Sequence, residues 1–228
     1  MTRVWLSWSS GKDSAWALKR LREDPAIEVT GLLTTVDRED GRIAIHAVRG
    51  DLLDRQATEL GVPLVRVPLP QPARNDDYER AMHAAFERAR AEGVQAIAYG
   101  DLFLDDVRAY RERVLRGSEL DALFPLWGEP TEQLAREMVD GGLRAVVTCI
   151  DPRRLQRSFA GRVYDEAFLD DLPAGVDPCG EHGEFHTFVT DGPMLRQRIP
   201  VRAGKTTGRS GFLYTDFRLA PSAPGAAS

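Results

Sequence analysis

Two textures of apolar and polar positions divide this chain. Up to about residue 118, short apolar runs alternate with stretches of helical period. Residues 4–8, Val-Trp-Leu-Ser-Trp, read as a strand, and 13–23 as a helix stopped by Asp24-Pro25, because proline cannot continue a helix. Residues 27–36 are a mostly apolar run, as expected of a strand buried on both faces. Residues 42–48 alternate and predict a short extra strand. Residues 51–60 predict a helix with Gly61 at its C-terminal end, and 64–67 a strand. Residues 76–92 place Ala81, Ala85, Phe86 and Ala89 on one face of a long amphipathic helix. A buried strand over 95–99 runs into Gly100-Asp101, and a helix follows over 105–116. Strands separated by helices predict an α/β fold with a doubly wound parallel sheet.

Beyond a boundary near residues 118–126 the texture changes. A helix is predicted over 131–140, a β-branched strand over 143–150 and a short helix over 162–171. A glycine- and acid-rich loop at 177–183 leads to strand-like segments at 184–189, 196–201 and 212–218. The expected organisation is a domain at 1–122, a smaller α+β domain at 123–219, and a low-complexity, disordered tail at 220–228.

A chain of 228 residues, 43% hydrophobic and 29% charged, has the composition of a globular protein with an ample core. No run approaches the ~18 apolar residues of a membrane span, and the N-terminus enters a strand with no apolar leader. Cys149 and Cys179 are too few for a disulfide framework or a four-thiolate zinc site, so a cytoplasmic location is expected. The net charge of −5 argues against a broad nucleic-acid surface, which needs many Lys and Arg contacts to phosphate. Only Lys12, Lys19 and Lys205 are lysines, which with abundant Ala and Gly points to a GC-rich, bacterial genome.

Between the first strand and the first helix stands Ser9-Ser10-Gly11-Lys12-Asp13-Ser14. Small residues let the backbone turn and aim several N–H groups at one point, where the following helix also directs its positive end. Lys12 adds a charge, and Ser9, Ser10 and Ser14 add hydroxyls. This is the chemistry for holding a pyrophosphate. It is neither a Walker loop nor a Rossmann fingerprint, since G-x-x-x-x-G-K-[ST] and G-x-G-x-x-G are both absent. The loop resembles that of the PP-loop ATP pyrophosphatases, S-G-G-x-D-S, with Ser10 in place of the first glycine. A positive φ there would strain the serine. The resemblance implies cleavage of ATP to AMP and pyrophosphate with Mg2+. In that chemistry Lys12 stabilises charge on the phosphates and Asp13 orients the loop or a metal-bound water.

A second run, Asp177-Pro178-Cys179-Gly180-Glu181-His182-Gly183-Glu184-Phe185-His186-Thr187, gathers carboxylates, imidazoles and a thiol. Such a loop offers general acid–base and substrate-binding capacity. A zinc site on Cys179, His182 and His186 would lack a second ligand cluster. The run resembles the C-G-E-x-G-E-[FY]-x-T motif of the diphthine–ammonia ligase family. The likeness continues through His46-Ala47-Val48, Gln56-Ala57, Leu60-Gly61-Val62-Pro63, Tyr99-Gly100-Asp101-Leu102, Arg113-Val114, Pro125-Leu126-Trp127 and Asp191-Gly192-Pro193.

That resemblance implies a HUP-like (Rossmann-like) nucleotide domain followed by an acceptor-binding domain. It implies an enzyme that adenylates a carboxylate and transfers ammonia to it. ATP would be held by Ser9, Ser10, Gly11, Lys12, Asp13, Ser14, Thr34, Thr35, His46, Gly100 and Asp101, with Asp101 also on Mg2+. Glu184, Glu181 and His186 would join Lys12 and Asp13 in catalysis, Glu184 first as proton acceptor, and Cys179, Gly180, Gly183 and Thr187 would meet the substrate. The acceptor would be diphthine on elongation factor 2 in an archaeal or eukaryotic protein, and another carboxylate in a bacterial one. Two other readings are a PP-loop enzyme acting on tRNA and a nucleotide-binding regulatory module without turnover. A homodimer is the default expectation for an oligomer.

Overall fold

Residues 1–43, 46–70 and 72–221 are described by a computed structural model. Residues 44 and 45 of the strand expected at 42–48, and 222–228 of the expected tail, lie outside the described residues.

Five parallel strands and four helices alternate through the first half: β1 (Thr2–Ser7), α1 (Lys12–Glu23), β2 (Ile27–Asp37), α2 (Gly50–Leu60), β3 (Leu64–Leu69), α3 (Asn75–Ala91), β4 (Ala96–Ala98), α4 (Asp105–Leu115) and β5 (Asp121–Leu123). The sheet order is β3-β2-β1-β4-β5. Successive side chains of a strand point to opposite faces, and both faces are covered here. Leu6 and Leu32 pack with Ala15, Leu18, Leu52 and Leu53 of α1 and α2. Trp5, Leu33 and Ile97 pack with Met82, Phe86 and Val114 of α3 and α4. The sheet is the expected doubly wound α/β arrangement. Its order reverses at β1, so the crevice beyond the C-terminal ends of β1 and β4 is a topological switch point, where such sheets bind ligands.

The second half forms α5 (Thr131–Asp140), β6 (Arg144–Ile150), β7 (Val163–Tyr164), α6 (Glu166–Asp170), β8 (Phe185–Asp191), β9 (Val201–Arg209) and β10 (Phe212–Leu219). β8 runs antiparallel along one edge of β6, while β7 and β10 pair with the start and end of its other edge. Three expectations need correction. The helix expected at 162–171 is a two-residue strand followed by a short helix, which Asp165 caps by accepting from the Phe168 amide at 2.9 Å. The strand expected at 196–201 lies instead at Val201–Arg209, nearly all exposed, so no apolar alternation marks it. In the described part of 42–48 there is only an isolated bridge, Ile43 to Val48. β5 went unpredicted because three residues carry no period.

The antiparallel sheet packs on the α1 side of the parallel one. A single apolar core runs from Leu18 and Trp16 through Leu134 and Met138 to Val147, Phe185 and Phe188. No helix among the described residues is long and apolar enough to cross a membrane.

Candidate active site

The loop after β1 is held from two sides. Ser10 adopts φ 70°, the left-handed conformation that strains a side chain, and its carbonyl accepts the Val189 amide of β8 at 3.0 Å. The Lys12 amide donates to Thr187 Oγ1 at 3.1 Å. Gly11 has no room to spare, since a Cβ there would lie 3.2 Å from the Thr187 carbonyl and 3.3 Å from its hydroxyl. At Gly100, after β4, a Cβ would lie 3.0 Å from the backbone of Asp13 and Ser14. The start of α1 is therefore wedged between the end of β4 and β8.

Gln56 of α2 completes the clamp. It is fully buried, its amide nitrogen donates to the carbonyls of Ser10 at 3.0 Å and Val189 at 2.8 Å, and its oxygen accepts the Trp8 indole at 3.1 Å. Ser9 and Ser14 face each other at 3.1 Å, and the Ser14 hydroxyl also donates to the Gly11 carbonyl at 3.0 Å.

Lys12 is buried, with Nζ donating to both Asp13 oxygens at 2.8 and 2.9 Å and to the Cys179 carbonyl. The rings of Tyr164 and Phe185 lie 5.7 and 5.3 Å from Nζ. Burial works to discharge this amine, but the hydrogen-bonded Asp13 carboxylate and the other acidic groups around it together raise its pKa, which favours the ammonium.

Two cavities meet above the loop. The smaller, about 230 Å³, is lined by Ser9, Gly11, Lys12, Asp13, Ser14, Gly100, Asp101, Cys179, Gly180, Glu181, Gly183, His186 and Thr187. The larger, about 590 Å³, sits over the ends of β2 and β3, where Leu33, Ile43, Leu69, Met82, Tyr78 and Tyr110 surround Thr34 and Thr35. Ser7, Ser9, His46 and Arg111 line both. Thr34 Oγ1 and His46 Nδ1 are buried with no hydrogen-bond partner among the described residues. Buried polar atoms without a partner are uncommon in folded proteins.

The 177–186 segment closes the smaller cavity. Asp177 accepts the Glu181 amide at 2.9 Å, and tight turns at Gly180 and Gly183, with φ of 69° and 80°, bring the segment back on itself. Glu181 reaches across to accept the Leu102 amide at 2.8 Å, and burial lifts its pKa to about 7. The His46 and His186 rings pack together at a tilt of 36°, with centroids 4.5 Å apart. Burial lowers the pKa of His46 to about 4 and that of His186 well below the usual imidazole value, so both are neutral. Burial pushes the Cys179 thiol up, which keeps it protonated and unreactive.

Glu184 is not among the residues that line either cavity. It is buried, one oxygen accepts the Asp177 amide at 3.3 Å, and the other has no partner among the described residues. Ser10 likewise contributes its carbonyl to the clamp while its buried hydroxyl has no partner among the described residues. Asp101 lines the cavity but is ion-paired with Arg111 at 3.2 Å. No group of three or more His, Cys, Asp or Glu suited to a metal ion occurs among the described residues.

Residues 2–122 match the model of the diphthamide synthase N-terminal domain, and residues 130–216 that of its C-terminal domain. The chain belongs to the diphthamide synthase family. It is 32% identical over 115 residues to the human diphthine–ammonia ligase, a match covering 48% of this chain and 43% of that protein. The zebrafish diphthine–ammonia ligase (Danio rerio) is 26% identical over 187 residues, 74% of this chain and 70% of that protein. The fission-yeast one (Schizosaccharomyces pombe) is 29% identical over 211 residues, 84% of this chain but 34% of that protein. The chain thus spans less than half of the human and yeast relatives.

The sequence alone does not assign a role to Ser7, Tyr99 and Arg111 on the cavity wall or to Gln56 beneath the loop. Gln56 stood in the sequence only as part of a motif, and nothing there marked a helical glutamine as a clamp. Arg111 sits among many surface arginines, and only the fold turns it inward.

Proposed function

We propose that this protein is an ATP-dependent ligase that adenylates a carboxylate and then replaces AMP by ammonia. The observation that carries this reading is the pairing of two cavities at the switch point. One is small, over the serine-rich loop and its charged neighbours; the other is larger, richer in apolar side chains, and bears the Thr34 hydroxyl, which has no partner among the described residues. The adenosine fits the larger space, with Thr34, Thr35 and His46 as its polar contacts. The phosphates fit the smaller one, over Ser9, Gly11, Ser14 and the N-terminus of α1.

The donors facing the small cavity also suit magnesium, which prefers oxygen and is commonly held by one or two carboxylates together with substrate phosphates. Asp13 and Asp101 would hold it, and it would neutralise phosphate charge. Lys12 keeps the loop and the 177–183 segment together and contributes positive charge beneath the phosphates.

In the first step an oxygen of the acceptor carboxylate bonds to the α-phosphorus. The bond from that phosphorus to the bridging oxygen breaks, and pyrophosphate leaves with the electron pair. In the second step ammonia bonds to the acyl carbon, AMP leaves with the electron pair of the broken C–O bond, and one proton is lost from nitrogen. Glu181, poised near neutral pH and facing the cavity, is the proton acceptor in this scheme. Glu184 supports the loop through Asp177. The domain at 1–122 would carry ATP, and that at 123–219 would present the acceptor against Gly180, Gly183, His186 and Thr187. The relatives' name points to diphthine as the acceptor class, and in a bacterium a different carboxylate would take its place.

The test is turnover of ATP with magnesium and ammonium, with and without diphthine-bearing elongation factor 2 or protein and metabolite fractions. Acceptor-dependent AMP and pyrophosphate, lost in Lys12→Ala, are expected. ADP and phosphate as products would overturn the reading.

A further inference from the structure

Two side-chain cations line the small cavity, Lys12 and Arg111, and their donors are differently committed. An ammonium has three N–H donors. Those of Lys12 are matched by two Asp13 oxygens and the Cys179 carbonyl. Arg111 brings five N–H donors in a planar fork. Its Nε donates to Asp101 at 3.2 Å and one Nη1 hydrogen to the Tyr78 hydroxyl at 3.1 Å, while the Tyr99 ring lies 5.1 Å beneath it. Three donors have no partner among the described residues, on a guanidinium held in place from three sides.

Arg111 also lines both cavities, so it stands at the junction between the polar and the apolar space. If adenosine occupies one space and pyrophosphate the other, the group at the junction is the α-phosphate. We propose that Arg111 binds the α-phosphate of the nucleotide. Asp101, Tyr78 and Tyr99 act as positioning residues that aim its fork. A planar bidentate donor suits the non-bridging oxygens of that phosphate, whose charge is redistributed as the bond to the bridging oxygen breaks. This proposal rests on the nucleotide reading above.

Calorimetric titration with adenosine, AMP and pyrophosphate separates the two. The wild type should bind AMP more tightly than adenosine. Arg111→Gln should keep its affinity for adenosine and pyrophosphate while that for AMP falls about tenfold or more, the scale of losing a charge-assisted hydrogen-bonded pair. Arg111→Lys keeps the charge without the fork and should fall between. Asp101→Asn keeps the guanidinium but loosens its aim, and should weaken AMP selectively as well. AMP affinity unchanged in Arg111→Gln, or lost in step with adenosine as a folding defect would cause, overturns the assignment while leaving the nucleotide site standing. A wild type that binds none of the three overturns the nucleotide reading itself.

Discussion

Ser10 and Glu181 show what single residues contribute. Ser10 holds φ 70° although an L residue in the left-handed region costs roughly 1–2 kcal/mol, and its hydroxyl has no partner among the described residues. Glycine removes that strain but adds freedom to the unfolded chain, at roughly 0.5–1 kcal/mol. Ser10→Gly should therefore stabilise the fold by up to about 1 kcal/mol in urea unfolding, on the same balance of strain and entropy. A clear loss of stability would mean that the hydroxyl does work the geometry does not reveal. For Glu181 the sign follows from a pKa lifted by burial to about 7. Its stabilising contribution is full below the ordinary carboxylate pKa and is lost as pH rises through about 7, where the charged form must sit in a poorly solvated place. Catalysis by a base runs the other way, so amide formation should increase as pH passes 7. Glu181→Gln should lower that step by about 10²-fold or more and remove the neutral limb of the pH–rate profile. A variant that keeps the limb assigns the proton to another group.

At the scale of elements, the site is made by pressing α1, α2 and β8 onto one loop. Gln56 is where the three meet, bonded to Ser10, Val189 and Trp8. Gln56→Leu would remove three buried hydrogen bonds and leave the Trp8 indole N–H without its acceptor. The expected cost is about 3 kcal/mol in chemical denaturation, several times that of a surface change. ATP affinity should fall with it, and stability near wild type would show that the clamp is not needed.

This element also marks how far the sequence could be read. The βα alternation was legible because strands such as β2, buried on both faces, write long apolar runs. The loop was legible because serine, glycine and lysine cluster at one βα turn. β5 and β9 were hidden, one by its three-residue length and the other by its exposure. The place of Glu184 was hidden too, because neighbouring carboxylates on one segment look alike until the turns at Gly180 and Gly183 sort Glu181 toward the cavity.

Across the whole molecule, the two sheets share one core and one site. The link is repeated at the far side, where Asp216 of β10 accepts from Arg49 at 2.7 and 2.8 Å and from Arg42 at 3.2 Å. The hydrogen bonds from Arg49 and its neighbours hold the Asp216 carboxyl well below the usual range. The segment carrying His46 is thus anchored to the C-terminal hairpin as well as facing His186. On the function proposed above, nucleotide bridges the two cavities across this junction. The most direct test is a crystal structure with magnesium and α,β-methylene ATP, whose α–β linkage cannot be cleaved. Adenine is expected among Leu33, Met82 and Tyr110, the α-phosphate at Arg111 and the terminal phosphates over Ser9 to Ser14. Nucleotide bound elsewhere, or lying with its base in the polar cavity, would contradict it.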